Sequence, residues 1–271
     1  LSISELTSSF SKKHDQVTAR NVMDFMVRDE TNPSSIVSCV RAARENARAV
    51  RGALTTEVWE TQNQTWLEFN KLLRAESTLR DPGPVLERVK TRSHLSRGVT
   101  VGTMLHDEAL HFLRIGTFLE RADNTARLLD VKFQALAGSD YFGGQAAAGQ
   151  EVDFYHWSAI LRSVSGFEIY RKVYRNVIVP EKVAELLILR PDMPRSLAAC
   201  MNDVVANLML VANAQSTETL RRAGRLRSDL QYGRIDEILA TGLHAYLTQF
   251  LDRVGDLGVG ISRDFLVPMA A

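Results

Sequence analysis

The sequence predicts an all-α fold, a multi-helix bundle of about seven to ten helices with no sheet. Three observations carry this. Nearly every segment places its apolar residues at helical spacing. No segment sustains the apolar/polar alternation of a half-buried strand. Helix start signals, a capping side chain or a proline ahead of an apolar pattern, recur along the chain.

Taken in order, residues 1–16 are polar and rich in Ser and Lys, and read as an irregular opening. Thr18 can cap a short helix to about Arg28. Asn32-Pro33 reads as N-cap and first helical position of a long helix from Ser34 through at least Leu54. Thr55-Thr56 can bend or re-cap it, and the pattern continues to about Leu79. Asp81-Pro82-Gly83-Pro84 ends that stretch, and Pro84 can open the next helix. A long helix follows from about Thr100 or Met104 to Leu136. The Gly/Ala-rich run around 138–152 reads as a flexible loop between two helical halves. Beyond it lie a helix from about Phe154 to Asn176, a short one from Pro180, and one opened by Asp192-Met193-Pro194. Two more fit Glu218 to Gln231 and Ile235 to Gly255. No period near 34 or 40 residues is visible, which argues against a solenoid.

Composition narrows the function classes. The 271 residues suit one large domain or two small ones, with length enough to bury a real core, and the chain is read as a single helical domain over 1–271. Lys+Arg is 33 against Asp+Glu 32, which argues against a polycationic nucleic-acid binder. Of the basic residues 26 are Arg, the side chain suited to bidentate pairing with carboxylate or phosphate, although base-composition bias also explains an Arg excess. No apolar run approaches the ~18–20 residues of a membrane span. The first residues lack the basic start and apolar block of a secretory leader. Cys39 and Cys200 sit in apolar helical patterns and read as two reduced, buried thiols of a cytoplasmic protein.

The segment from His106 to Asp130 contains no proline and should form one helix. On a wheel of ~100° per residue it divides into three stripes. Phe118, Leu129, Ala122, Ile115, Phe133, Ala126 and Leu119 form the core stripe. Arg114, Arg121, Thr125 and Lys132 form the stripe assigned to solvent. Between them run Gly116, Ala109, Arg127, Glu120, Leu113, His106 and Asn124, mixing charges with residues that permit close approach by a neighbouring helix. Glu120, Asn124 and Arg127 line one edge, and Asp123 and Arg127 are an i,i+4 pair. Three readings stay open for this edge: a solvated face, a buried ion pair that fixes helix register, or a ligand-binding or catalytic edge. Arg41, Arg44, Arg48 and Arg51 form a second charged stripe beside Glu45, within about 80° on the wheel. Solvation, pairing with Glu120, Asp123 and Asp130 across helices, or an anion such as phosphate or a peptide carboxylate would each compensate it.

Glu120-Arg121-Ala122-Asp123-Asn124-Thr125-Ala126-Arg127-Leu128-Leu129-Asp130 resembles the signature of the bacterial alpha-E family, named for an all-helical domain with a recurring Glu-Arg motif. Asn32-Pro33-Ser34-Ser35-Ile36, Ala43-Arg44-Glu45-Asn46-Ala47-Arg48, Trp59 and Asn63 resemble its first half. Trp157, Tyr170-Arg171-Lys172 and Pro194-Arg195-Ser196 resemble its second. Family members usually open with a helix bearing an earlier copy of the motif, and this sequence starts after that place. The resemblance implies association with ATP-grasp ligases of a circularly permuted type and with transglutaminase-like proteins, in ATP-dependent amide-bond formation or peptide modification.

Other chemistry is not apparent. There is no phosphate-binding Gly loop with a Lys-Ser/Thr ending, no His-Glu-x-x-His and no Gly-x-Ser-x-Gly elbow. Glu108 and His111 have the i,i+3 spacing of di-iron helices, without the second pair that such a site needs. No cofactor or metal is therefore expected. The residues carry three functional readings. The first is an accessory protein that binds a ligase-type partner or an anionic peptide. The second is an enzyme of the same pathway using the Glu120/Asn124/Arg127 edge. The third is a structural domain whose Glu-Arg motif is a packing lock.

Overall fold

The computed structural model describes residues 6–73, 81–137 and 148–266, and their side chains except at 132–137, 148–153 and 266. These residues form thirteen α-helices and one short 3-10 turn, with no strand among them. They fall into two compact units, residues 1–110 and 111–271.

The first unit holds α1 (Thr7–Ser11), α2 (Ala19–Val27), α3 (Ile36–Ala49), α4 (Thr56–Leu72) and α5 (Gly83–Thr103). Thr18 caps α2, accepting from the Asn21 amide at 3.1 Å, and Thr55 re-caps α4 after the 3-10 turn Arg51–Ala53. Asn32 is not the cap of α3. Its Oδ1 accepts from the Ser34 amide at 2.9 Å, its Nδ2 donates to Phe25 O at 3.0 Å, and Ser35 caps the helix instead. The Asn thus makes the turn before the helix, a use open to a side chain that bonds its own backbone two residues on. α4 and α5 run antiparallel. Arg92 Nε donates to Thr65 Oγ1 at 2.8 Å, Gln62 meets Ser96 at 2.5 Å, and Arg88 pairs with Glu68. Cys39 is exposed, not buried as its apolar surroundings suggested.

The second unit holds α6 (Glu108–Ala137), whose first turn contains the boundary, then α7 (Ala148–Ser163), α8 (Phe167–Tyr174) and α9 (Pro180–Ile188). It continues with α10 (Leu197–Leu210), α11 (Thr217–Tyr232), α12 (Ile235–Thr241) and α13 (Leu243–Leu266). The core stripe of α6 is seated as the wheel requires, with Ile115, Ala122, Ala126 and Leu129 buried against Trp157, Leu161 and the α10 interior. The helix expected from Phe154 to Asn176 breaks in two. Ser165 takes a left-handed φ of 55°, and a Cβ on Gly166 would lie 3.2 Å from Met193 Cε. Residues 138–147 of the expected flexible loop lie outside the described residues, while 148–152 belong to α7.

The two units contain a duplicated helix series. α2 and α9 are each nine residues and α3 and α10 each fourteen, and both pairs are offset by 161 positions. α4 and α11 start 161 apart, at Thr56 and Thr217. The offset aligns Pro33 with Pro194, Ser35 with Ser196, Cys39 with Cys200, and Thr56-Glu57 with Thr217-Glu218. The local bonding repeats as well. Ser35 N bonds Asn32 O at 3.1 Å and Ser196 N bonds Met193 O at 2.9 Å, and each serine then caps its fourteen-residue helix.

Candidate functional site

The Glu-Arg motif lies midway along α6. Asp107 starts that helix, its Oδ1 accepting from the Leu110 amide at 3.3 Å, so His106 stands outside it and exposed. Adjacent residues on a helix point about 100° apart, so the two motif letters serve different faces. Glu120 faces solvent, where its Oε1 accepts from Asn124 Nδ2 at 3.1 Å. One to two turns further, Asp123 and Arg127 pair at 2.8 Å with both side chains partly exposed. A Cβ built on Gly116 of this stripe meets nothing within 4 Å, so the small residue is not accommodating a close neighbour.

Arg121 and Thr125 do something else. They form the stripe assigned to solvent, yet Thr125 is 2% exposed. Arg121 Nη1 donates to Pro194 O at 3.3 Å, and Thr125 Oγ1 donates to Arg195 O at 2.9 Å. The acceptors lie in the turn that leads into α10. Ser196 is fully buried there, accepting from the Ala199 amide at 2.9 Å and donating to Arg190 O at 2.6 Å. The first acceptor of the α10 ladder is Ser196 O, bonded by the Cys200 amide at 3.0 Å. The carbonyls of Pro194 and Arg195 precede that ladder and gain nothing from it. α6 supplies their donors.

The contact continues along α10. Asn207 Nδ2 donates to Asp203 O at 2.7 Å, which leaves Oδ1 to accept from His111 Nδ1 at 2.9 Å. Burial raises the Asp203 carboxyl above its ordinary range, and the positive charges of Arg114 and Arg121 offset part of that. Burial pushes the Cys200 thiol up to about 12, against the opposing fields of Arg121 and Arg195. A thiol so placed is no nucleophile. Sequence reasoning missed Thr125, Asp203 and Asn207. The i,i+7 spacing of Phe118 and Thr125 puts the threonine beside the core stripe and is a signal, but backbone carbonyls as partners are invisible in a side-chain wheel.

The arginine stripe lies on α3 and the turn after it. Arg44 donates to Asn63 Oδ1 at 2.9 Å and to Glu45 Oε1 at 2.5 Å, and Arg48 meets the other Glu45 oxygen. Arg41 pairs with Glu30 at 2.9 Å, and Arg51 stacks on Trp59 at 5.1 Å. Partial burial lifts the Glu45 carboxyl, but the bond from Arg44 and the charge of Arg48 outweigh it and hold the carboxyl below its ordinary range. Asn46 is exposed on the same helix. The stripe is therefore compensated locally, by the acids Glu30 and Glu45.

A cavity of about 630 Å³ opens in the first unit among Lys13, His14, Asp24, Arg28, Asp29 and Asn70. None of the predicted site residues lines it. Its charges are already matched, Lys13 with Asp29 at 2.7 Å and Arg28 with Asp24 at 2.6 Å. Among the described residues no three His, Cys, Asp or Glu are grouped to hold a metal, and no helix is long and apolar enough to cross a membrane.

Comparison with protein families gives the chain its family. Residues 1–266 match the Alpha-E family, described as a predicted alpha-helical domain with a conserved ER motif. The chain belongs to the Alpha-E family. No curated protein and no solved structure matches it. The match covers both helix series and every described helix.

Proposed function

We propose that this Alpha-E chain is an accessory protein of an ATP-grasp-type amide ligase or peptide-modification system. It acts by binding the ligase, or a transglutaminase-like protein of the same system, or an anionic peptide segment. The observation that carries the reading is the split of the motif. Arg121 and Thr125 are committed to the α10 turn, while Glu120, Asn124, Asp123 and Arg127 present an ordered, charged edge to solvent. Such an edge has the chemistry of a polar interface rim, which steers and registers a partner more than it adds affinity. The cytoplasm is the compartment that fits ATP-dependent ligation and two cysteines that are not joined to each other.

A packing-lock reading is favoured for half of the motif by the two donor bonds to the turn. The enzyme reading is the weakest. A general base needs partial desolvation to hold its proton near neutral pH, and Glu120 stands in solvent.

The test is reconstitution with a permuted ATP-grasp ligase from the same genome. Co-elution, and a changed rate of ADP release or ligation on adding the Alpha-E protein, supports the proposal. Glu120→Lys and Asp123→Lys should weaken both effects without moving the melting temperature. If the intact protein neither co-elutes with the ligase nor alters ligation, the accessory role is wrong. Turnover by the Alpha-E protein alone, abolished by Glu120→Gln, would instead establish the enzyme.

A further inference from the structure

The likeness of the two units extends to an aromatic pair ahead of α2 and α9. The rings of Phe10 and His14 lie 4.8 Å apart and tilted, and those of Tyr170 and Tyr174 lie 4.9 Å apart and tilted. The first ring of each pair is buried, Phe10 at 1% and Tyr170 at 0% exposure. The pairs stand 160 positions apart, one fewer than the helices that follow. His14 thus takes the place of Tyr174. At the 161 offset Asp24 takes that of Glu185, and Asp29 that of Arg190. In the second unit a phenol fills this place. Burial and the charge of Glu185 push the Tyr174 hydroxyl above its ordinary range, with Arg190 opposing, and the Lys182 ammonium stands over the ring at 5.4 Å. In the first unit an imidazole reaches less far than a phenol, and the cavity of about 630 Å³ opens beside it.

The cavity walls pair their charges without exhausting them. Lys13 Nζ donates to both Asp29 oxygens at 2.7 Å, and an ammonium has a third N–H. Arg28 Nε donates to Asp24 Oδ1 at 2.8 Å, which leaves Oδ2 to accept from a ligand. Arg41 donates to Glu30 Oε2 at 2.9 Å, which leaves Oε1. Among the described residues neither the His14 nitrogens nor the Asn70 amide has a hydrogen-bond partner. Lys13 and Arg28 face three carboxylates, Asp24, Asp29 and Glu30, a balance that disfavours phosphate and other polyanions. Val37 and Leu73 supply the apolar wall. The volume lies within the ~300–1,000 Å³ of pockets that enclose drug-sized ligands, room for a peptide of roughly three residues.

We propose that this cavity binds a short peptide as its zwitterion. The α-ammonium donates to Asp24 Oδ2, beside a carboxylate as the Tyr174 hydroxyl lies beside Glu185, with Glu30 Oε1 at the rim. The terminal carboxylate accepts from Lys13. The Asn70 amide, donor and acceptor at once, matches a peptide group, and a small side chain rests on Val37 and Leu73. Partly exposed charges contribute little each, so the expected Kd is on the order of 1 mM. The inference stands apart from the ligase assignment, because no residue of the Glu-Arg motif lines the cavity and the test contains no ligase.

The probe is trialanine with free termini, titrated against the full chain and followed by amide chemical shifts. The shifts are expected to saturate at Asp24, Glu30 and Asn70. N-acetyl-trialanine, trialanine amide and free L-alanine should each bind about fivefold more weakly or worse. His14→Tyr installs the phenol of the second unit and should weaken trialanine roughly tenfold or more with the melting temperature held. Asp24→Asn should weaken it about fivefold, and decides alone if His14→Tyr lowers the melting temperature. Shifts that do not saturate by about 20 mM trialanine would overturn the proposal. So would equal binding of the acetylated peptide, or an affinity that Asp24→Asn leaves unchanged. L-Alanine binding as tightly as trialanine would make the site one for a free amino acid, and would overturn the peptide assignment.

Discussion

Thr125→Val tests the part of the motif helix that polarity alone would have assigned to solvent. The substitution keeps the volume and β-branching of the side chain and removes the hydroxyl that donates to Arg195 O at 2.9 Å. Thr125 is 2% exposed, so water does not readily replace the lost donor. The cost is the net hydrogen bond plus part of the desolvation of an unmet carbonyl, together about 1–2 kcal/mol. The second unit spans residues 111–271. For a cooperative unit of that size each kcal/mol moves the melting temperature by roughly 2–4 °C. A drop of about 3–6 °C is therefore expected in a thermal melt followed by circular dichroism. Amide exchange should quicken at residues 196–200 ahead of the rest of α10. Thr117→Val is the matched control. Thr117 is exposed, and its hydroxyl bonds Leu113 O of its own helix at 2.7 Å, a bond expected to be worth less than about 0.5 kcal/mol. A Thr125→Val melt within 1 °C of wild type, or a Thr117→Val drop of equal size, would refute the account of α6 as the donor to the α10 turn.

Three further outcomes are expected. With a maleimide at pH 8 one thiol per native chain should react, at Cys39, and Cys200 should react only on unfolding, since it is buried and its thiol is pushed up to about 12. Val204→Ala should cost about 2–3 kcal/mol as two buried methyl groups and their cavity, whereas Ala43→Val at the equivalent exposed position should stay within about 1 kcal/mol, as denaturant midpoints will show. The acid limb of stability should depend on Asp29 and Asp203 with opposite signs. Burial lifts the Asp29 carboxyl, but bonds from Lys13 and Thr31 outweigh it and leave it below 3.8, so its contribution is present above that pH and is lost as pH falls through the folded value. Asp29→Asn should accordingly be destabilising at pH 7, with the difference shrinking below about pH 4. Asp203 is raised instead, by burial, so the folded chain binds its proton the more readily. Asp203→Asn should be neutral or stabilising at pH 7 and lose that gain in acid, which a pH series of melts will check.

Most of the helical order was legible, because capping side chains and prolines have letters. Thr18 and Thr55 cap where the pattern placed them. Asn32-Pro33 was misread by three residues, since an Asn that turns the chain and an Asn that caps a helix look alike until its partner is seen to be the Ser34 amide. The same displacement recurs at Asp192-Met193-Pro194, where Ser196 is the cap. The break at Ser165-Gly166 had one signal, the glycine, and a serine at positive φ gave no warning. The site was less legible than the fold. A wheel puts Thr125 about 20° from Phe118 of the core stripe, and only its polarity and that of Arg121 assigned them to solvent. Their partners are two main-chain carbonyls that exist only because a Pro-x-Ser turn presents them, seventy residues away in sequence from Thr125.

That turn also explains why the duplication escapes a search at short periods. The repeat unit is a three-helix series offset by 161 residues, and few side chains survive in both copies. Those that do concentrate where the backbone demands them. The proline and serine fix the turn, and the Thr-Glu pair opens the second helix of each hairpin. The positions between have diverged according to cover: Val204 beneath α6 and Ala43 in the open, Asp203 within reach of the Arg114 and Arg121 fields and Ala42 exposed. In this chain the Glu-Arg motif helix is thus the second copy's way of satisfying the two carbonyls at the head of its fourteen-residue helix, whereas in the first copy Pro33 O accepts from Cys39 Sγ at 3.7 Å. The arginine of the motif bonds the turn, and its glutamate, about 100° around the helix, is left to face whatever approaches from solvent.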